Sequence, residues 1–155
     1  MRIRYAEPAD LPAVKGLVSC LLEHESKIRS TRCAIDEVHS GYFEEMLGRR
    51  EIEDGGILIA EESSSVLGFL AYANALDDLE ITPEQIDVTE IVVLPSARRQ
   101  GIARALMTEL VHLAQDAGTN RIVLNVLEGN LEALGFYESL GFQPMAQMLE
   151  LQCDA

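Results

Sequence analysis

The chain has 155 residues, with 26 acidic against 12 basic side chains and a formal net charge of −14 at pH 7. That length fits one domain, residues 1–155, able to bury roughly two-thirds of its unfolded surface in one core. The acidic balance argues against a nucleic-acid partner, since phosphate contacts need a basic face, and no apolar run reaches the ~20 residues of a membrane helix.

The opening "MRIRYAEPADLPAV" puts charge and proline where a signal peptide has its apolar stretch, so the expected location is cytoplasmic. Residues 2–6 alternate like a half-buried strand. Asp10 then reads as an N-cap, with Pro12 in the first helical turn. Leu11, Val14, Leu17, Val18, Leu21 and Leu22 recur at helical spacing to about Glu25. A polar connector leads to a second helix, from about Asp36 to Glu53, which Gly55 and Gly56 stop. Two β-rich runs flank the polar turn Glu62–Ser65 and predict a hairpin. An acidic loop, "DDLEITPEQ", precedes "IDVTEIVVL", the strongest strand pattern, which ends at Pro95. A helix from about Gly101 to Gly118 follows, with Ile102, Ala103, Leu106, Leu110, Leu113 and Ala117 on its buried face. "RIVLNVL" predicts another strand, residues 130–140 another helix, and "GFQPMAQMLELQC" a terminal pair of strands. Cys20, Cys33 and Cys153 are odd in number and widely spaced, which suits reduced thiols rather than a disulfide framework or a metal knuckle.

One window departs from the overall charge. Between Glu90 and Glu109 there is no acidic residue, and "RRQGIARAL" crowds Arg98, Arg99 and Arg104 around Gly101. The expected order strand, turn, helix puts this basic turn at a helix N-terminus, where N–H groups lack intrahelical acceptors and the helix dipole adds positive potential. Such an end suits phosphate, and Gly101 lets a ligand approach the backbone. A tight connection with solubilising arginines is the alternative. The spacing is neither a Walker loop nor a three-glycine dinucleotide fingerprint.

The stretch "VVLPSARRQGIARALMTEL" resembles the signature of the GNAT N-acetyltransferase superfamily through Val93, Pro95, Arg98, Gly101 and Ala103. Downstream, "GNLEALGFYESLGF" resembles that family's second motif through Asn130, Ala133, Tyr137, Gly141 and Phe142. The element order agrees over the whole chain. The resemblance implies an α/β fold: a mixed, mostly antiparallel sheet of six to seven strands flanked by about four helices. It implies acetyl-CoA as co-substrate, with no metal. Its pyrophosphate would lie on the backbone N–H groups of about Arg99, Gln100, Gly101, Ile102, Ala103 and Arg104, with Arg98, Arg99 and Arg104 supplying charge. Its pantetheine arm would lie along Ile91, Val92, Val93 and Leu94, with Asn130 and Tyr137 also near the arm. Two positions depart from the family pattern: Arg99 stands where glycine is common, and Ala103 replaces the commoner final glycine.

Acetyl transfer to an amine requires a base, a stabilised oxyanion and an acid for the leaving thiolate. The resemblance places Tyr137 next to the CoA sulfur as that acid; a core aromatic is the other reading of it. A backbone N–H near Val93 would face the oxyanion, if this strand parts from the next. Glu90 is the carboxylate nearest the strand's catalytic end and is the candidate base, directly or through water; a solvent-facing carboxylate is the alternative. The thiols lack a Cys-His context, so direct attack by the amine in a ternary complex is expected. The expected acceptor is a primary amine of a small molecule or peptide, and the acidic first two helices and the loop between the third and fourth strands would suit a cationic one by steering. A non-catalytic CoA-binding sensor of the same fold is the rival function. The apolar C-terminal strands would let two copies pair as a homodimer.

Overall fold

The computed structural model describes residues 1–29, 41–50, 54–75 and 85–151. In chain order the elements are β1 (Arg2–Tyr5), α1 (Leu11–Ile28), α2 (Tyr42–Arg49), β2 (Gly55–Glu62), β3 (Ser65–Ala75), β4 (Gln85–Val93), α3 (Ile102–Asp116), β5 (Ile122–Leu124) and α4 (Leu131–Glu138). Single 3-10 turns, Pro8–Asp10 and Pro95–Ala97, lead toward α1 and α3. Among the described residues the strands form one sheet in the order β1-β2-β3-β4-β5. The first three pairings are antiparallel; β4 and β5 run parallel, joined through α3.

Strand alternation sends successive side chains to opposite faces, and here both faces are covered. Leu58, Ala60, Leu70, Tyr72, Ile86 and Val88 pack against Ile102, Leu106, Met107, Leu110 and Ala114 of α3. On the other face Ile57, Ile59, Phe69 and Ala71 meet Val14, Leu17 and Val18 of α1 and Phe43 and Met46 of α2. Double coverage explains why β2 and β3 read as almost continuous apolar runs instead of alternating ones. The α1 contacts at positions 14, 17 and 18 have the i, i+3, i+4 spacing of one helical face.

Several expectations need correction. Five strands form among the described residues, not six to seven, because residues 142–151 contain no strand. Met145, Met148, Leu149 and Leu151 there are largely exposed. The apolar composition suggested strands, but Met148 and Leu149 break the two-residue alternation and Pro144 removes a ladder donor. The second helix is shorter than expected, Tyr42–Arg49; residues 36–40 and 51–53 of that expected span lie outside the described residues, as does most of the acidic loop. Asp10 occupies the N-cap position of α1 without capping it through its side chain. Its carboxylate turns inward, accepting from Arg4 Nη1 at 2.7 Å and Nη2 at 2.9 Å and from the Glu7 N–H at 2.8 Å. The half-buried Arg4 guanidinium holds Asp10 below the usual aspartate range, against the opposing effect of burial.

Candidate active site

The site begins with an irregularity in β4. Ala71 of β3 lies opposite Glu90, yet its neighbour Tyr72 lies opposite Val88, which leaves Thr89 as an extra residue. A bulge of this kind shifts the alternation by one position. Ile86 and Val88 face α3; beyond the bulge Ile91 and Val93 do so, and Val92 joins the α1–α2 side. Glu90 thereby turns to the face it would otherwise avoid, toward α1 and α2.

A cavity of about 200 Å³ lies there. Val18, Leu21, Leu22 and Phe43 supply its apolar wall, and Glu25, Tyr42, Thr89 and Glu90 its polar one. The Tyr42 hydroxyl donates to Glu90 Oε2 at 3.0 Å, and the Thr89 hydroxyl donates to the same oxygen at 2.6 Å. Burial pushes the Glu90 carboxyl above the ordinary glutamate range; the two hydroxyls pull it down, and the Glu25 charge pushes it up. Burial likewise raises the Tyr42 phenol, to about 12. A carboxylate with raised basicity beside a cavity is suited to accept a proton.

Past the bulge, β4 has no strand partner on one side among the described residues. β5 pairs only with Ile86, Asp87 and Val88. On the other side the Leu94 N–H donates to Leu67 O at 2.8 Å. Peptide groups alternate in direction along a strand, so the N–H and C=O groups of Ile91 and Val93 face the gap beyond β5. An extended ligand could add there as a further strand. Val92 is buried, and the same alternation directs its N–H and C=O, like the Leu94 N–H, toward β3, so Val92 and the Leu94 N–H do not face that gap.

The basic turn closes the same end of the sheet. Gly101 is the N-cap of α3 at φ +80°, without a side chain to cap the helix, and the first helical bond is Ala105 N–H to Gly101 O at 2.9 Å. The N–H groups of Ile102, Ala103 and Arg104 therefore point out of the helix end. A Cβ on Gly101 would meet nothing within 4 Å, so the backbone here borders open space. This donor set fits a diphosphate. Ile102 is buried, restricting it to its backbone. Arg98 turns back toward β4, its Nε 3.5 Å from Val93 O. Arg104 donates to Ser139 Oγ at 2.9 Å, and Gln100 Nε2 lies 3.4 Å from Ser96 O. Arg99 is largely exposed, 3.6 Å from Glu132. Its φ of +61° explains why glycine would suit this position.

Tyr137 sits on α4, buried, with its ring against Phe136 and Phe142 at centroid distances of 5.2 and 5.6 Å. Burial pushes its phenol up to about 12, so it carries its proton at neutral pH. Asn130 caps α4, its Oδ1 accepting from the Ala133 N–H at 3.2 Å. That use leaves its amide N–H₂ as the group available to a ligand. His112 is exposed on α3 and His24 half-exposed on α1; His39 lies outside the described residues. Sequence reasoning missed Tyr42 as a partner of Glu90, and the bulge at Thr89 that brings them together. Among the described residues no group of three His, Cys, Asp or Glu is placed to hold a metal ion, and no helix is long and apolar enough to cross a membrane.

Residues 22–142 match the Acetyltransferase (GNAT) family, and the chain belongs to it. Its reaction is acetyl transfer from acetyl-CoA to an amine. Two bacterial relatives are each 25% identical over 150 residues, covering 96% of this chain and 83% of theirs: the L-methionine sulfoximine/L-methionine sulfone acetyltransferase of Salmonella typhimurium and the L-amino acid N-acyltransferase MnaT of Escherichia coli. The fold is shared with a tetramutant of the BH1408 protein from Bacillus halodurans, at a TM-score of 0.87 and 21% identity, over 99% of this chain and 100% of that one.

Proposed function

We propose that the chain acetylates a primary amine of a small molecule or peptide by direct attack in a ternary complex, with Glu90 as base and Tyr137 as acid. The observation that carries this is the bulge at Thr89, which turns Glu90 into the cavity beside the one-sided edge of Ile91–Val93. The α3 start holds the diphosphate of acetyl-CoA on the outward N–H groups of Ile102, Ala103 and Arg104, with Arg99 adding charge. The arm extends along the β4 edge toward Tyr137. Glu90 takes a proton from the acceptor ammonium, and the neutral nitrogen attacks the thioester carbonyl carbon. The oxyanion that forms accepts from the Val93 N–H, which the alternation of β4 aims into the gap. As the C–S bond breaks, the thiolate receives a proton from the Tyr137 phenol, and the second proton of the nitrogen passes through solvent to the Tyr137 phenolate, restoring the acid.

Support for Tyr137 is its buried, still protonated hydroxyl on the motif-bearing α4. A homodimer is supported by the exposed apolar residues Met145, Met148, Leu149 and Leu151. Thiol release from acetyl-CoA, followed with a panel of amines and checked by mass for N-acetyl product, tests the reaction. Amine-dependent release is expected; acetyl-CoA binding without release would favour a sensor of the same fold.

A further inference from the structure

We infer that the acceptor is a short aliphatic diamine or similar amine with a second positive charge and no carboxylate, its distal charge recognised by Glu25; this rests on the acetyl-transfer reading of the same cavity. Shape sets the first preference. The pocket, of about 200 Å³, is open to solvent on one side and admits a short chain without capping its length. Its apolar wall, formed by α1 leucines and Phe43, suits a run of methylenes.

Charge sets the second. Both lining hydroxyls are directed at one oxygen, Glu90 Oε2, so the groups that face a ligand electrostatically are carboxylates. Among the described lining residues there is no Lys, Arg or His. Glu90 serves the reacting nitrogen. Glu25, on the α1 side, is close enough for its charge to be felt at Glu90. A carboxylate accepts at about four lone-pair positions, so Glu25 can hold a ligand ammonium beside its protein contacts. An acceptor with a carboxylate of its own would add a third negative charge beside Glu25 and Glu90, while Arg49, the described cation whose charge is felt at Tyr42, is engaged by Glu45 and Asp54. An amino acid, the acceptor class named for the Escherichia coli relative, brings that charge.

Three acceptors of nearly equal length isolate the effect: 1,5-diaminopentane, pentylamine and 5-aminopentanoate, whose distal ends are cationic, neutral and anionic. Thiol release with saturating acetyl-CoA should give kcat/KM falling in that order, by roughly tenfold at each step. Glu25→Gln should bring the ratio of diamine to monoamine to within about twofold. In the wild type, raising ionic strength toward 1 M, where the Debye length is about 3 Å, should shrink the same ratio; this measurement serves if the variant does not fold. Equal or better use of 5-aminopentanoate than of pentylamine overturns the proposal, as does a ratio that neither Glu25→Gln nor salt reduces. Acetyl-CoA's effect on the melting temperature separates the two levels. If acetyl-CoA stabilises the protein and none of the three acceptors is used, the acceptor class is wrong; if it gives no stabilisation and no turnover, the acetyl-transfer reading falls and takes this proposal with it.

Discussion

Replacing Glu90 by Gln removes one charge and keeps the shape of the cavity. The amide oxygen can still accept from Tyr42 and Thr89, which both address a single oxygen of the native side chain. What disappears is basicity. Loss of a general base costs about 10²–10⁴ in rate, which at about 1.36 kcal/mol per tenfold is roughly 2.7–5.5 kcal/mol of barrier. Stability should move the other way. The folded-state pKa of Glu90 is raised, chiefly by burial. The contribution of this carboxyl to stability is therefore present below its unfolded pKa and lost as pH rises through the folded value. At neutral pH the wild type has lost it, while the uncharged Gln has not. Glu90→Gln should thus melt at a higher temperature than wild type at pH 7, with that gain shrinking toward pH 4. Initial rates of thiol release at saturating acetyl-CoA give kcat, and thermal melts at the two pH values give the stability change. The acid limb of kcat should lie above the ordinary carboxylate range in the wild type and vanish in the variant. A kcat within a few-fold of wild type refutes the base, and a melting difference independent of pH refutes the buried-charge reasoning.

Tyr137→Phe keeps the ring contacts with Phe136 and Phe142 and removes only the hydroxyl. It should lower kcat by about 10²-fold or more with acetyl-CoA affinity by calorimetry nearly unchanged; an unaltered kcat would remove it as the acid. Asp10→Ala removes the paired acceptor of the Arg4 guanidinium, which keeps Glu61 and the Tyr5 carbonyl, and leaves the Glu7 N–H without its partner. Denaturant unfolding should show a loss of about 1–3 kcal/mol, the range for hydrogen bonds to a charged group. Because the folded pKa of Asp10 is lowered, the pair's contribution is present above the unfolded value and fades as acid titrates it, so the variant and wild type should converge at low pH. Arg99→Gly relieves a left-handed conformation at φ +61°. It should gain roughly 0.5–1 kcal/mol, the strain of about 1–2 less the chain entropy of glycine, while weakening acetyl-CoA binding; a loss of stability would count against the strain.

The turn around Gly101 was legible because its signals are local. Pro95 ends a strand, a glycine precedes a helical period, and an acid-free window gathers three arginines within seven residues of one another. Both motifs carry such spacing, and so did the α/β order. Glu90 was legible as a candidate but its surroundings were not. Strict alternation puts it on the same face as Ile86 and Val88, and only the bulge at Thr89, set by pairing with β3, reverses that. Its contact with Tyr42 spans 48 residues, beyond any periodic pattern. Asp10 matched a capping residue by type and position, but Arg4 offered a full charge where the helix offered a partial one. The C-terminal apolar residues announced hydrophobicity without a partner, and strands need both.

Thermal melting with and without acetyl-CoA, for the wild type and for Gly101→Glu, bears most directly on the α3 start as the diphosphate site. The glutamate side chain would enter the open space beside Gly101 and set a negative charge against the outward N–H groups. The wild type should be stabilised by about 2.7 kcal/mol when acetyl-CoA is at one hundred times its dissociation constant, and the variant should not shift from its own baseline. A wild type that does not shift at millimolar acetyl-CoA, or a variant that shifts as much as the wild type, would contradict that assignment.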